Sequence, residues 1–238
     1  MAATTMLDVN ALDAWYGQAQ VLFGVSLAVG GGECVALVGR NGAGKSTTMK
    51  AIMGLLARRR GSVVFRGRDI SALSAYRIAR LGLGWVPEDR RVFTDLTVRE
   101  NLAVARQPPR EGAPTWTEDQ LYALFPNLKA MPDRLGGRMS GGEQQMLTVA
   151  RTLMGNPALV LLDEPSEGVA PIIVEEMARM IVALKSAGVS VLLSEQNLHF
   201  ARLVSDRAVV LEKGEVRFTG SMEALMQDET LLRTHLSV

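Results

Sequence analysis

ECVALVGRNGAGKST, residues 33–47, decides the fold. Its first half, from Cys34 to Val38, is an unbroken apolar run of the length of a buried strand. Its second half is a turn with glycines at positions 39, 42 and 44, after which the pattern reads as a helix from 44 to 56. A strand that runs into a glycine-rich turn and then opens a helix is the setting in which G-x-x-x-x-G-K-[ST] has a physical meaning. Glycines let backbone N–H groups turn inward around a polyphosphate. The helix N-terminus adds a favourable dipole, about 0.3–2 kcal/mol per nearby charge. Gly39, Arg40, Asn41, Gly42, Ala43, Gly44, Lys45, Ser46 and Thr47 are therefore candidate phosphate-binding residues. Lys45 would reach the β- and γ-phosphates, and Ser46 would ligate Mg²⁺. The loop alone does not separate kinases, GTPases and ATPases.

Further along, LVLLDE (159–164) is a second buried strand with Asp163 and Glu164 at its carboxyl end. Open α/β sheets bind ligands at that edge. Asp163 suits the surroundings of the metal, and Glu164 can polarise an attacking water. Around these two strands, apolar runs alternate with amphipathic stretches, which signals an α/β fold with a largely parallel sheet. Residues 6–13, 25–29, 61–67, 83–88 and 189–193 read as further strands, and 171–187 as a helix. RAVVLEKGEVRFTG, 207–220, reads as a hairpin turning at Lys213-Gly214. The middle differs. Helical spacing at 97–106, 117–126 and 141–154, broken by the Pro- and Gly-rich QPPREGAPT, predicts a helical subdomain inserted at about 90–157. The basic run Arg58-Arg59-Arg60 is expected to close a helix end, where cations suit the dipole.

The 238 residues carry 26 Lys+Arg against 25 Asp+Glu, so no strong field favours nucleic acid or an anionic membrane. The start, MAATTMLDVN, has no basic region followed by an apolar stretch, and no apolar run approaches the ~18 residues of a membrane-spanning helix. The sequence thus predicts a soluble chain whose membrane role, if any, comes through a partner. Its one cysteine, Cys34, is expected to be a buried reduced thiol, and its methionines to fill the core.

MSGGEQQ, 139–145, places Ser140, Gly141 and Gly142 ahead of a helix whose apolar positions include Met146, Val149, Ala150 and Leu153. An ordinary Ser-capped helix start is one reading; a second anion-binding helix tip is the other. With the glycine loop and LLDEP, this SGGEQ tract resembles the ATP-binding cassette (ABC) family over almost the whole chain. The resemblance implies a P-loop NTPase core with a small antiparallel β subdomain and the inserted helical one, all within a single domain 1–238. It implies ATP and Mg²⁺ as ligands. Two cassettes would pair head to tail, with ATP between the Lys45 loop of one and Ser140, Gly141 and Gly142 of the other. It also implies that Tyr16, in WYG, stacks on adenine; a simple core role for Tyr16 remains open.

Three positions depart from the family pattern. Glu88, in VPEDRRVF, stands where most cassettes have Gln, and it still offers a hard oxygen to Mg²⁺. Ala170 replaces an Asp. The switch His after the last core strand is absent from LLSEQN, and Gln196 takes its place, with His199 as a minor alternative. Gln, like neutral His, offers an N–H donor toward a γ-phosphate, though it cannot become cationic. Glu164, Gln196 and Lys45 are therefore the expected catalytic set, and Ser46, Glu88 and Asp163 the metal set. Hydrolysis is expected to be competent but slow, with a non-hydrolysing nucleotide-gated subunit as the alternative. The tracts VPEDRRVF, DEPSEGVAP and LLSEQN are similar to the ATPase subunits of branched-chain amino acid importers of the shorter LivF type. That implies a second related cassette (or a second copy of this chain), two membrane permeases and, indirectly, a periplasmic binding protein. The cassette would sit at the cytoplasmic face of the inner membrane, without nucleic acid. Importers of urea or amides share much of this pattern. Residues 89–93 are candidates for the permease contact, with a solvated loop as the plain reading.

Overall fold

The computed structural model describes residues 5–236. The reading of the first ten residues as leader-free falls partly outside that range. Strands β1 (Thr5–Tyr16) and β2 (Ala19–Gly30) form a long hairpin. Strand β4 (Arg58–Phe65) pairs antiparallel with β1, and short β5 (Arg68–Asp69) closes that sheet in the order β2-β1-β4-β5. The second sheet has the order β10-β9-β3-β8-β7-β6, where β3 is Cys34–Val38, β6 Leu83–Val86, β7 Leu159–Asp163, β8 Ser190–Glu195, β9 Arg207–Glu212 and β10 Glu215–Ser221. Its ladders from β9 through β6 are parallel; β10 runs antiparallel beside β9. Every residue of β3, β7 and β8 is buried. Strands covered on both faces need unbroken apolar runs rather than alternation, which is why VALV, LVLL and VLL carry so clear a signal.

The helices follow in chain order as α1 (Lys45–Ile52), α2 (Ala75–Arg80), α3 (Val98–Ala103), α4 (Glu118–Leu124), α5 (Pro126–Lys129), α6 (Gly141–Leu153), α7 (Pro171–Ser186), α8 (Leu198–Val204), α9 (Met222–Gln227) and α10 (Glu229–Leu231). Thr97, Thr117 and Ser140 each open a helix with a complete capping box, to Glu100, Gln120 and Glu143 respectively. Helices α3 to α6 share one buried cluster with the sheet face formed by Val160, Leu162, Val191 and Leu193. Residues of α1 and the antiparallel sheet pack on the opposite face, against Val35, Leu37, Leu161 and Leu192. Cys34 is buried, and burial pushes its thiol up to about 12, which makes it inert. Met49, Met146, Met177 and Met180 are core residues, as expected.

Two local expectations are corrected. Helix α1 stops at Ile52 rather than 56, because the chain turns left-handed at Gly54 (φ 71). Arg58-Arg59-Arg60 therefore does not close a helix; it opens β4. Successive strand side chains point to opposite faces. Arg58 and Arg60 lie over the Trp15 ring at 4.7 and 5.8 Å, while Arg59 donates to the carbonyls of Leu56, Ser71 and Leu73 at 3.1, 2.7 and 3.2 Å. Among the described residues no helix is long and apolar enough to cross a membrane.

Candidate functional site

Parallel pairing brings the candidate residues to one sheet edge. Leu37 pairs with Ser194, and Ser194 pairs with Asp163, so β3, β8 and β7 end side by side. The glycine loop leaves β3 there, Glu164 leaves β7, and Gln196 follows β8. Gly44 caps α1 at φ 109, and a Cβ on it would come within 2.8 Å of the Leu22 side chain. Only glycine meets both demands. It also delivers Lys45 and Ser46 into the first helical turn.

Lys45 is 3% exposed and Glu164 9%, and their charges meet at 3.0 Å. Lys45 Nζ also donates to the carbonyls of Gly39 (2.8 Å) and Arg40 (3.2 Å). Glu164 sits in the left-handed region (φ 46), uncommon for a side chain of this kind, and its N–H is held by the Ser194 carbonyl at 3.0 Å. Ser46 Oγ donates to Asp163 Oδ1 at 2.9 Å. These groups border a cleft of about 370 Å³ lined by Val21, Asn41, Gly42, Gly44, Lys45, Ser46, Thr47, Glu88, Glu164 and Glu167.

The electrostatics are those of crowded carboxylates. Burial raises the Asp163 carboxyl above its ordinary value, against the opposing Ser46 hydrogen bond. Glu167 is raised to about 7, first by its hydrogen bond to Glu164, then by burial and by the charges of Glu164, Glu88 and Glu195. Burial also raises Glu195, although that carboxylate accepts N–H bonds from Ser166, Gln196 and Asn197, each at 3.1 Å. One cation, Lys45, therefore stands among several acids. Such a site suits a ligand that brings its own countercation. Among the described residues no three His, Cys, Asp or Glu side chains form a metal cage. A hydroxyl with two separate carboxylates, Ser46 with Glu88 and Asp163, is instead the sparse hard-oxygen set that fits Mg²⁺. That ion keeps waters and substrate phosphates as its other ligands.

Not every predicted residue is at the cleft. Arg40 and Ala43 face a separate hollow with Glu212 and His235. Tyr16 is 47% exposed at the hairpin tip near Val21. Gln196 is exposed at the end of β8 and does not line the cleft, and His199 is exposed on α8. Ser140, Gly141 and Gly142 begin α6 and take no part in it. The sequence reading missed Glu167 and Glu195. Glu195 carried a signal: an acidic residue ending a buried apolar strand must find donors. Arg90 is half-buried rather than fully solvated; its guanidinium packs on Gly141.

A parallel sheet with a Lys-bearing glycine loop at one strand end and an acidic pair at another defines a P-loop nucleotide-hydrolase core. The ABC transporter family profile matches residues 22–167. BraG of Pseudomonas aeruginosa, a high-affinity branched-chain amino acid transport ATP-binding protein, is 41% identical over 97% of this chain and 99% of its own length. LptB of Haemophilus influenzae, the ATP-binding protein of a lipopolysaccharide export system, is 36% identical over 98% of this chain and 97% of its own. The solved structure of an ABC transporter ATP-binding subunit, 29% identical, superposes with a TM-score of 0.81 over 98% of this chain and 97% of that one. The chain belongs to the ABC transporter family. It is a nucleotide-binding ATPase coupled to transport, and a subunit of a complex with membrane permease components.

Proposed function

We propose that this chain is the ATP-hydrolysing subunit of an importer for branched-chain or related amino acids. The tracts DEPSEGVAP and LLSEQN and the likeness to BraG support that cargo. In this reading the whole of 1–238 is one cassette, and residues of about 90–157 are its helical subdomain. It works at the cytoplasmic face of the inner membrane with two permeases, a second cassette and, indirectly, a periplasmic binding protein. The groove of about 490 Å³ lined by Met53, Tyr76, Trp85, Ala105, Arg151 and Pro157 is the proposed seat of a permease helix.

The observation that carries the hydrolytic reading is the Lys45–Glu164 pair at 3.0 Å, with Ser46–Asp163 beside it. The backbone N–H groups of residues 39–47 cradle the phosphates, and Lys45 exchanges Glu164 for the β- and γ-phosphates. Glu164, released from its partner, orients and polarises the attacking water. Ser46, Glu88 and Asp163 would hold Mg²⁺, which supplies charge neutralisation across the phosphate oxygens. Gln196, fixed by Glu195 at its backbone N–H, donates toward the γ-phosphate. Tyr16 stacks on adenine. Ser140, Gly141 and Gly142 cap the triphosphate held by the facing cassette, which explains why they stand away from their own cleft.

Glu164→Gln should keep ATP binding while phosphate release in a single turnover falls at least 100-fold, the scale of general-base catalysis. Unchanged release would remove Glu164 from this role. The likeness to LptB favours a second reading, an export ATPase. Leucine uptake into vesicles carrying this chain with its permeases tests the import reading: ATP-dependent uptake supports it, and its absence with intact ATPase activity removes leucine as the cargo.

A further inference from the structure

Residues 89–93 leave the metal-site candidate Glu88 and double back onto α6. Arg90 and Arg91 are both left-handed (φ 61 and 40), a conformation that costs side-chain-bearing residues energy and needs outside support. Helix α6 provides it. Thr148 Oγ1 donates to the Arg90 carbonyl, and Arg151 Nη2 donates to the Arg91 carbonyl at 2.6 Å. The consequence is that the Arg90 side chain is pressed against the tip of α6. A Cβ built on Gly141 would overlap Arg90 Nη1 and lie 3.1 Å from its Cζ. On the other side Arg90 Nη2 reaches the Glu167 carbonyl at 3.5 Å, and a Cβ on Gly168 would lie 3.7 Å from it.

The charge of this guanidinium is not consumed locally. Among the described residues Arg90 takes part in no ion pair. The nearest acid on the helix, Glu143, is committed elsewhere. It accepts the Ser140 N–H at 2.7 Å and faces Arg134 at 3.8 Å. A half-buried, unpaired cation is thus held in one orientation beside the first free N–H groups of α6. A guanidinium there is matched to a phosphoryl group by shape as well as by charge.

We infer that Arg90 is a catalytic residue acting in trans: it contacts the γ-phosphate of the ATP held by a second copy of this chain, beside Ser140, Gly141 and Gly142. The inference rests on the face-to-face pairing proposed above and adds a positioned charge to the backbone and hydroxyl donors of that tip. Because the left-handed turn is already fixed by α6, the cation arrives preorganised, the condition under which such groups act most strongly on developing phosphoryl charge.

The test uses the Glu164→Gln chain, in which ATP-driven pairing accumulates, followed by sedimentation velocity across an ATP titration. Adding Arg90→Gln keeps a donor for the Glu167 carbonyl but removes the charge. It should weaken ATP-driven pairing about 10- to 100-fold, the range for one charge-assisted hydrogen bond. Arg90→Lys should recover part of the loss. Both variants should keep the parent's melting temperature and its binding of a fluorescent ATP analogue as a monomer. Pairing as tight with Arg90→Gln as in the parent overturns the inference. So does a loss that Lys does not relieve and that travels with a lower melting temperature, the mark of a purely structural clamp. If the Glu164→Gln parent itself never pairs at any ATP concentration, a second copy of this chain is not its partner, and the assignment of Arg90 as stated is overturned.

Discussion

At the scale of single residues, the site is governed by where protons and charges sit among Glu88, Asp163, Glu164, Glu167 and Glu195 around Lys45. Glu167 titrates near 7, against an ordinary value of 4.5. A raised acid binds its proton more tightly in the folded chain. Its stabilisation is therefore complete below about 4.5 and is lost as pH rises through about 7. The melting temperature should accordingly decline between pH 5 and 8, and Glu167→Gln should flatten that decline when the two are compared by calorimetry. Glu167 was not foreseen, although it stands three residues after Glu164 and a local turn bonds its N–H to the Glu164 carbonyl at 3.1 Å. Gln196 was picked out by its place after an apolar strand, and it follows β8 directly, exposed and outside the cleft lining. If it donates to the γ-phosphate, Gln196→Ala should lose about 1.5–3 kcal/mol, a 10- to 100-fold fall in turnover with nucleotide binding little changed. Stopped-flow phosphate release measures both.

At the scale of elements, helix starts were read well and helix ends less well. Thr97, Thr117 and Ser140 cap their helices through reciprocal bonds within four residues, so the signal is written locally. Thr97→Ala should cost about 1 kcal/mol and lower the melting temperature by about 2–4 °C, with ATPase activity intact, since α3 lies away from the cleft. The end of α1 and the place of Arg58-Arg59-Arg60 were misjudged together. Three cations after an apolar helix look like a C-terminal cap. What decides otherwise is Trp15 on β1, whose ring takes Arg58 and Arg60, and the three carbonyls that take Arg59. Those partners lie outside any window around residue 58.

At the scale of the whole molecule, the cleft is a joint product of two sheets. Val21 comes from the antiparallel hairpin and the phosphate loop from the parallel sheet, so a ligand there ties the layers together. ATP with Mg²⁺ at a hundredfold excess over its dissociation constant should add about 2.7 kcal/mol of stability. For a chain of this size that is a rise of about 5–10 °C in melting temperature. Lys45→Ala should abolish the rise, as read by scanning fluorimetry.

By itself the sequence determined the strands of the parallel sheet, the glycine loop, the acidic strand end at Asp163 and Glu164, and the family. Each of these is a short-range pattern: an apolar run, a turn, a charge where the run stops. Only the tertiary structure decided that Glu195 receives the N–H of Ser166, that Arg90 leans on Gly141, and that Lys45 meets Glu164. These pairings join segments far apart along the chain. They exist because parallel strands in register deliver separate loops to one edge, and no local pattern encodes which side chains will meet there.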